Sequence, residues 1–505
     1  MAQPGGAVSD AGVRPDDRPG AELLAGLTSW YGPWRDLRVA VLGAGITGFA
    51  VADTLAELGC RVLVTGESVT DDRAALLDVI GARHVVAPLG EQAAVLAQAD
   101  PQLVVVSPGY HPDAPPLTWA AEHGVPVLGD IELAWRVRDR HGEPADWITI
   151  TGTNGKTTTT QLTVAMLAAA GVRARACGNI GSSVLDAVRE PEAWRVLVVE
   201  LSSYQLHWMH EVSPLASVCL NVADDHLDWH GSAAAYRAAK GRVYERTRVA
   251  CVYNVEDPVT EQLVREAEVV EGARAIGFTR DIPRVAELGI VDDVLCDRAF
   301  LDDRRRAALE LTTLDVLSSA GLAAPHVVAD VLAAAALARA ADVPPAAIAA
   351  AVAAFRLDAH RIQSVGQRNG VTFIDDSKAT NPHAAAASLG AFESVVWIAG
   401  GLLKGVDVEP LVAEHARRLR GVVVIGADRQ ALLTALARHA TDLPVAEVVP
   451  GDTDDVMTRA VALAVGMAQP GDVVLLAPAA ASMDQFTDYG QRGALFAQAV
   501  RAQAE

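Results

Sequence analysis

Lysine is rare in this chain, and each of its four lysines lies in a segment whose neighbours could take part in chemistry. They are Lys156, Lys240, Lys378 and Lys404, and all other basic residues among the 42 lysines and arginines are arginine. A lysine ammonium is a compact charge whose pKa shifts readily and whose amine can be modified, which a guanidinium cannot imitate. We therefore expect these positions to carry functions that require lysine.

The first lysine belongs to a glycine-rich loop that is typical of phosphate binding. A predicted strand at residues 147–150 leads into the loop, and a helix should follow to about Ala170. Glycines let backbone N–H groups converge on phosphate oxygens, the lysine would neutralise the β- and γ-phosphates, and the next hydroxyl would bind Mg²⁺. The spacing is shorter than that of ordinary GTPases and kinases, and the alternative is a glycine-rich turn without a ligand. The residues predicted to bind ATP are Gly152, Thr153, Asn154, Gly155, Lys156, Thr157 and Thr158.

Two further polar residues follow predicted strands. Glu200 ends the run at 196–199, and a carboxylate at the C-terminal tip of a buried parallel strand beside a phosphate loop is suited to hold Mg²⁺. A solvated acid is the alternative. His226 follows a strand at 217–221 and could bind a second metal or position a phosphate, although a lone loop histidine usually does neither.

A second glycine-rich loop follows the strand at 39–42, with the pattern G-x-G-x-x-G. With Glu67 about 20 residues further on, this pattern alone favours an NAD-dependent oxidoreductase. A helix N-terminus attracts any diphosphate, however, so UDP is the preferred ligand. Titration of NADH against UDP would separate the two hypotheses. The residues predicted to bind the UDP part of a substrate here are Gly45, Thr47, Gly48 and Ser107.

The elements that must position these residues form an α/β pattern. Short apolar runs, among them 38–42, 103–106, 395–399, 422–425 and 473–476, alternate with alanine-rich helical segments, which predicts parallel sheets flanked by helices. We predict three domains after a disordered tail at 1–35. A Rossmann-like UDP-binding domain spans 36–145, a P-loop ATP-binding domain 146–357 and a Rossmann-like amino-acid-binding domain 358–505, with a hinge just before His360. The fold of 256–315 stays open.

Composition limits the class of protein. The formal net charge of −21 argues against a nucleic-acid partner, so an anionic ligand must be held by local basic groups. Five cysteines without metal-type or disulfide-type spacing fit buried thiols in a reducing cytoplasm. No apolar run is long enough to span a bilayer. We expect a cytoplasmic monomer without membrane insertion.

The motifs together resemble the Mur ligase family over nearly all of the chain from about residue 36. The strings that carry the resemblance are SPGYHP, GDIEL, ITGTNGKTTT, GNIG, VVELSSYQL, NVADDHLDWH, YRAAKGRVYE, DDSKATN and APAAASMDQFTDYGQRG. The last two are specific for the family's glutamate-adding branch. The resemblance implies an ADP-forming ligase that uses ATP and two Mg²⁺ ions. It would join D-glutamate to UDP-N-acetylmuramoyl-L-alanine through an acyl phosphate, in peptidoglycan precursor synthesis.

The resemblance also implies roles for single residues. Lys240 resembles a carbamylated lysine that binds Mg²⁺, and Glu200, His226 and Thr157 would complete the metal sites, with His226 also near the UDP substrate. Asn179 would contact the nucleotide-sugar. Residues that resemble ATP contacts are Asn254, Arg361 and Asp376, and residues of the amino-acid site are Lys378, Thr380, Lys404, Ser482, Met483 and Tyr489.

The chain departs from the family pattern in three places. His326-Val-Val-Ala-Asp330 stands where H-N-x-x-N is usual, which affects an adenine contact, and Tyr489 replaces a common phenylalanine. Thr65-Gly66-Glu67 replaces an aspartate near the uracil. Two alternatives are a folate polyglutamate synthase, which would lack a 110-residue domain before the phosphate loop, and a nucleotide-binding scaffold without enzymatic activity.

Overall fold

The computed structural model describes residues 19–427, 429–448 and 453–503. Within them the strands are β1 Arg38–Leu42, β2 Arg61–Gly66, β3 Arg83–Val86, β4 Leu103–Val106, β5 Val127–Gly129, β6 Asp146–Thr151, β7 Ala174–Gly178, β8 Val196–Glu200, β9 Ala216–Cys219, β10 Ala250–Asn254, β11 Arg274–Phe278, β12 Glu287–Val291, β13 Val294–Asp297, β14 Leu309–Thr313, β15 Gln363–Arg368, β16 Val371–Asp375, β17 Val395–Ala399, β18 Leu419–Val424, β19 Val445–Glu447 and β20 Val473–Leu476.

The α-helices of the same residues alternate with these strands. They are α1 Pro19–Gly26, α2 Ile46–Glu57, α3 Asp71–Val79, α4 Gln92–Ala99, α5 Pro115–Glu122, α6 Asp130–Arg136, α7 Lys156–Ala169, α8 Val184–Arg189, α9 Ser203–His207, α10 Leu227–His230, α11 Ala233–Gly241, α12 Pro258–Glu266, α13 Leu314–Ser319, α14 Pro325–Ala340, α15 Pro345–Ala354, α16 Pro382–Gly390, α17 Glu409–His415, α18 Gln430–His439, α19 Thr453–Met467 and α20 Tyr489–Ala502. In these residues no helix is long and apolar enough to cross a membrane.

The first sheet is parallel, with strand order β3-β2-β1-β4-β5. Strand β4 is buried at all four positions, and the central strand β1 is buried at all but its first residue. Continuous apolar runs of this kind are typical of parallel strands covered by helices on both faces. The carboxyl ends of β1 and β4 therefore lie side by side, and each leads into a loop of the predicted UDP site.

The sheet that carries the phosphate loop combines parallel and antiparallel strands. From β6 the order continues through β9, β10, β11, β12 and β13 to β14. The pairs β6–β9, β9–β10, β10–β11 and β11–β12 are parallel. The pairs β12–β13 and β13–β14 are antiparallel. The antiparallel strands lie within the stretch 256–315, for which no fold was predicted; the same stretch also contains α12 and the parallel strand β11.

The third sheet has the order β15-β16-β20-β17-β18-β19. All of its pairs are parallel except the hairpin β15–β16. Trp397 and Phe373 are almost fully buried on opposite faces of this sheet, in separate apolar clusters. The Rossmann-like pattern predicted for this part of the chain is thus present.

The described residues form two compact units whose limits differ from the predicted domains. One unit contains 175–212 together with the first sheet, and the other contains 147–174 together with 213–505. The predicted segment 146–357 is therefore divided. Side-chain contacts explain the division, because Gln205 donates to Asp130 over 3.0 Å and Glu132 accepts from the backbone of His210 over 3.0 Å, both within the first unit.

The predicted tail needs correction over residues 19–35. This stretch contains α1, and Leu27 and Trp34 are almost fully buried. The Arg136 guanidinium donates to the carbonyl oxygens of Leu24 and Leu27 over 2.7 and 3.3 Å. Residues 19–35 are thus part of the first unit, and residues 1–18 of the prediction lie outside the described residues.

Candidate functional site

The phosphate loop joins β6 to α7 and has the shape its glycines predict. Gly155 has φ +84° and precedes the first residue of α7, Lys156. A Cβ atom at Gly155 would lie 2.3 Å from Oδ1 of Asp330, so both the backbone conformation and the space require glycine. The N-terminal N–H groups of α7 are therefore presented at the loop, where an anion is favoured.

Asn221, which follows β9, fixes the phosphate loop through hydrogen bonds to its backbone. Its Oδ1 accepts from the Asn154 N–H over 2.9 Å, its Nδ2 donates to the Asn154 carbonyl over 3.2 Å, and its own carbonyl accepts from the Thr153 N–H over 3.0 Å. The Thr153 hydroxyl also lies 2.9 Å from the Tyr236 hydroxyl. Tyr236 is one helical turn before Lys240 on α11, so this helix supplies two contacts to the loop.

Two of the four lysines meet at the loop. The Nζ atoms of Lys156 and Lys240 both donate to the carbonyl oxygen of Gly152, each over 2.9 Å. Lys240 is almost fully buried, and its Nζ also lies 3.4 Å from Oγ1 of Thr151. The unmodified amine of Lys240 is thus a hydrogen-bond donor, and it would need carbamylation before it could bind a metal.

His226 lies in the electrostatic field of three lysines. Burial lowers its pKa, Asp225 opposes the shift, and the charges of Lys404, Lys156 and Lys240 lower the pKa further. His226 also has φ +52° at the start of α10, a conformation that few non-glycine residues adopt. The arrangement gathers positive charge around a neutral imidazole, which suits an anionic reactant.

Asp330 and His326 lie one turn apart on α14. Burial raises the pKa of Asp330 to about 8, although Arg361 and Thr159 oppose the shift. Burial, with the charge of Arg361, lowers the pKa of His326 to about 4, and no described residue hydrogen-bonds to its buried Nδ1. Both groups are therefore neutral near pH 7. The sequence showed Asp330 only as a departure from the family motif.

The other predicted ATP contacts lie at the ends of strands. Asn254 ends β10, and its Nδ2 donates to the carbonyl of Leu220 over 3.1 Å. Asp376 follows β16; it is buried, its Oδ1 accepts from the Ile362 N–H over 3.3 Å, and burial raises its pKa to about 6. Arg361 is half-buried, and its charge acts on both Asp330 and Asp376.

The predicted amino-acid residues lie on neighbouring loops of the third sheet. The Lys378 Nζ lies 3.7 Å from the centre of the Tyr489 ring, which is a cation–π contact. The Lys404 and Ser482 loops are joined because Leu402 and Ala481 exchange backbone hydrogen bonds of 2.9 and 3.0 Å.

Thr380 and Met483 have a looser place in the amino-acid region. Thr380 is half-buried, and its backbone N–H donates to the Lys378 carbonyl over 2.8 Å. Met483 is 69% exposed. The structure gives Met483 no burial against the other predicted residues.

The sequence missed a link between this region and the phosphate loop. The Asn381 Nδ2 donates to Oδ1 of Asn154 over 3.0 Å, and the Asn154 Nδ2 lies 2.9 Å from Nδ1 of His383. Asn381 is the last residue of the DDSKATN string, so its motif was visible in the sequence. Its partner was not, because only the fold brings residues 227 positions apart together.

Five of the six residues predicted to bind the UDP substrate line one cavity in the first unit, whereas His226 belongs to the other unit and is not part of the lining. Its volume is about 440 Å³, and its walls are the loops after β1, β4 and β7 together with the start of α9. At Gly48 a Cβ atom would lie 1.8 Å from the carbonyl oxygen of Gly43, so only glycine allows the close turn. The predicted residues in the lining are Gly45, Thr47, Gly48, Ser107 and Asn179.

Three polar residues of this cavity were not predicted. Ser202, Tyr204 and Gln205 come from the VVELSSYQL string and also line the cavity. Gln205 is fixed by a capping box with Ser202 and by its bond to Asp130. Glu67, which the dinucleotide hypothesis requires, is not part of the lining; its carboxylate lies 3.4 Å from the Leu89 backbone nitrogen, as acceptor.

Glu200 has the properties of a magnesium ligand. It is almost fully buried at the end of β8, and its Oε1 accepts from Nδ2 of Asn179 over 2.9 Å. Its Oε2 is buried and accepts no hydrogen bond from the described residues. A buried carboxylate oxygen without a donor is costly unless a cation satisfies it. The described residues contain no group of three or more His, Cys, Asp or Glu side chains arranged for a metal.

Family models match three consecutive parts of the chain. The model described as "Mur ligase MurD-like, N-terminal domain" matches residues 37–129, "Mur ligase middle domain" matches 150–338, and "Mur ligase, glutamate ligase domain" matches 360–480.

Among curated relatives, a UDP-N-acetylmuramoylalanine–D-glutamate ligase of Leifsonia xyli is 60% identical over 491 residues, with 95% of each chain covered. Among solved structures, a UDP-N-acetylmuramate-alanine ligase of Thermotoga maritima has a TM-score of 0.54 at 19% identity, covering 92% of this chain and 100% of that one. A MurF ligase of the same organism in complex with ADP has a TM-score of 0.52 at 16% identity, covering 93% and 96%. The fold, the phosphate loop and these matches agree, and the chain belongs to the Mur ligase family of three-domain ligases.

Proposed function

We propose that this ligase joins the amine of D-glutamate to the terminal carboxylate of UDP-N-acetylmuramoyl-L-alanine, with cleavage of ATP to ADP and phosphate. The observation that carries the proposal is the meeting of Lys156 and Lys240 at the carbonyl oxygen of Gly152 in the phosphate loop. The charge of Lys404 also acts on His226, together with the charges of these two lysines. A carboxylate, a triphosphate and a dicarboxylic amino acid are all anions, and this chain of net charge −21 can hold them only where cations gather. The name of the 60% identical relative supports both substrates.

In the first step a carboxylate oxygen of the acceptor attacks the γ-phosphorus of ATP, and the bond to the β,γ-bridging oxygen breaks. The products are ADP and an acyl phosphate. Lys156 has to leave the carbonyls of Gly152 and Thr153 to reach the phosphate oxygens. Its charge and the N–H groups at the start of α7 offset the charge on the transferred group, which is the main source of catalysis in phosphoryl transfer.

In the second step the uncharged amine of D-glutamate attacks the acyl carbon. A tetrahedral intermediate forms, loses a proton from nitrogen, and expels inorganic phosphate to leave the amide. Lys378 and Lys404 would each pair with a carboxylate of D-glutamate, and the Tyr489 ring would orient Lys378 through the 3.7 Å contact. The neutral imidazole of His226 can accept a proton, a form that burial and the three lysine charges favour.

Mg²⁺ would supply charge stabilisation at the phosphate oxygens when bound. In the first unit the residue suited to hold it is Glu200, whose Oε2 accepts no hydrogen bond from the part of the chain that the structure describes. In the other unit it is Thr157, whose hydroxyl lies in the first turn of α7. His226 and a carbamylated Lys240 are further candidates, the latter because carbamylation would convert a buried donor into an oxygen ligand.

The proposal is tested by measuring ADP formation while the substrates are supplied in every combination. We expect ADP only when ATP, Mg²⁺, UDP-N-acetylmuramoyl-L-alanine and D-glutamate are all present, with L-glutamate, L-lysine and diaminopimelate as comparison amino acids. Equal rates with another amino acid would contradict the D-glutamate assignment. ADP formation without any UDP-linked acceptor would contradict the proposed reaction.

A further inference from the structure

The UDP cavity lies between the beginnings of two helices whose far ends are joined by ion pairs. Helix α2 starts at the glycine-rich loop and carries Asp53 and Glu57 in its C-terminal half. Helix α8 starts after the loop at 178–181 and ends at Arg189. Both loops line the cavity. The spacing of its walls therefore depends on how these two helices are held together.

Arg189 joins the two helices. Its Nη1 lies 2.6 Å from Oδ2 of Asp53, and its Nε donates to Oε2 of Glu57 over 2.9 Å. The Arg189 side chain is 19% exposed, and the two carboxylates are 29% and 33% exposed. Partly buried charge-assisted bonds from one guanidinium to two carboxylates hold geometry better than exposed pairs. A suitable contrast is the Arg38–Asp100 pair of the same unit, with 44% and 84% exposure.

Arg140, in the segment after α6, adds further contacts to Arg189 and Glu57. Its Nη1 donates to the carbonyl oxygen of Arg189 over 2.7 Å, and its Nη2 forms a short ion pair with Glu57. The Arg140 guanidinium lies 4.7 Å from the centre of the Trp30 ring. Trp30 is fixed in turn, because its backbone N–H donates to Oδ1 of Asp139 over 2.6 Å. The N-terminal segment predicted to be disordered thus supports the joint.

We propose that Arg189, with Asp53, Glu57 and Arg140, is a positioning cluster that fixes the distance between the two loops and so forms the nucleoside-diphosphate cavity before the substrate arrives. A preformed site avoids the free energy of ordering loops on binding, so the cluster contributes to substrate affinity without touching the ligand. The inference rests on the proposed function in one respect only, namely that the cavity takes the UDP part of the substrate.

A purely structural role of Arg189 would lower the stability of the protein and leave its affinity for UDP unchanged. The test therefore needs a measurement that distinguishes a structural role from a positioning role. We would measure the affinity of UDP and of ATP by calorimetry for the full-length wild type, Arg189→Ala, Arg189→Lys and the exposed control Arg38→Ala. We expect Arg189→Ala to weaken UDP binding about tenfold and to leave ATP affinity within about twofold. Arg189→Lys should fall between wild type and Arg189→Ala, because an ammonium cannot bridge both carboxylates in the same geometry.

The conservative variant Asp53→Asn removes one charge of the cluster and keeps the side-chain shape. Combined with Arg189→Ala it should weaken UDP binding by less than the product of the single effects, because the two residues act through one contact. If Arg189→Ala does not fold, Asp53→Asn alone should still weaken UDP binding several-fold.

If the Arg189→Ala variant folds and binds UDP with wild-type affinity, the positioning role is overturned and the proposed function stays intact. If that variant does not fold, wild-type UDP affinity of Asp53→Asn has the same consequence. A wild-type protein that binds no UDP would instead contradict the assignment of the cavity. If the effects of the two substitutions on the free energy of UDP binding are additive, the proposal that Arg189 and Asp53 act as one cluster is also overturned.

Discussion

At the scale of single residues, Asp330 connects the phosphate loop to pH. Its carboxyl lies against Gly155, and burial raises its pKa to about 8. It is neutral at pH 7, and above pH 8 it places a negative charge beside the site of the ATP phosphates, with Arg361 as the opposing charge. We expect the KM for ATP to rise between pH 7 and 9 in the wild type and to stay nearly constant in Asp330→Asn. A parallel rise in both proteins would contradict this role.

The same carboxyl should also make the free energy of unfolding depend on pH. The pKa of Asp330 is higher in the folded protein than in the unfolded chain, so the folded state holds the proton more tightly between about pH 4 and pH 8. The free energy of unfolding contributed by this group is therefore greatest below pH 4 and is lost as pH rises towards 8. Urea unfolding of wild type and Asp330→Asn at pH 5 and pH 8 should show the variant gaining relative stability at the higher pH.

Lys240 tests whether a buried amine has been modified. We expect Lys240→Ala to reduce the ligase rate by at least about 100-fold, because a metal-binding group would be lost. Formate or acetate should restore part of the rate, since a small carboxylate fits the space left behind. Mass spectrometry near pH 8 with added bicarbonate should show a labile gain in mass, due to the carbamate, in the wild type only. Full activity of Lys240→Arg would contradict carbamylation, because a guanidinium cannot form a carbamate.

At the scale of elements, the phosphate loop depends on the end of β9. Asn221 satisfies both the N–H and the carbonyl of Asn154. Leaving such groups without partners costs roughly 1–3 kcal/mol, so Asn221→Ala should weaken ATP binding about tenfold or more, measured by calorimetry. Asn221→Asp keeps the acceptor and should lose less. UDP binding in the same variants is the control, and an equal loss of both affinities would indicate general unfolding.

Elements with one strong local signal were predictable, and those set by distant contacts were not. Strands β1, β4, β17 and β20 occupy the predicted residues because a continuous apolar run between turns has few other solutions. The antiparallel strands β12 to β14 are short and lack such runs. The stretch 19–35 was wrongly predicted to be disordered; one of its contacts is with Arg136, more than 100 residues further along the chain, whose guanidinium donates to the carbonyl oxygens of Leu24 and Leu27.

The candidate sites divide in the same way. Glycines, lysines and the Glu200 carboxylate were visible because loops after parallel strands lie along one edge of a sheet. The neutral state of Asp330, the Asn154–Asn381 contact and the Arg189 cluster depend on burial and on long-range packing. No motif or period in the sequence carries that information.

At the scale of the whole molecule, the UDP cavity and the phosphate loop belong to separate compact units. Substitution of Lys156 should therefore affect ATP chemistry and not UDP binding. We expect Lys156→Ala to reduce ADP formation below about one thousandth of the wild-type rate, as the loss of a main electrostatic contact implies, with UDP affinity unchanged within about twofold. A comparable loss of UDP affinity would contradict the separation of the two sites.

The predicted hinge before His360 stays a prediction, and the backbone there is unusual. His360 and Ile362 have φ of +67° and +42°, values that cost conformational energy outside glycine. His360 is held by Asp375, with Nδ1 and Oδ2 2.7 Å apart. Closure at such a position would bring Lys378 and Lys404 to an activated acceptor only after substrates bind.

The central claim is that the loop carrying Lys156 transfers the γ-phosphoryl group of ATP onto a carboxylate. The most direct measurement supplies UDP-N-acetylmuramoyl-L-alanine with ¹⁸O in its terminal carboxylate and determines the isotope content of the phosphate released. Formation and breakdown of an acyl phosphate predicts one ¹⁸O atom from the carboxylate in each phosphate, one amide per ADP, and loss of both products in Lys156→Ala. Amide formed at the full rate with unlabelled phosphate would contradict the account.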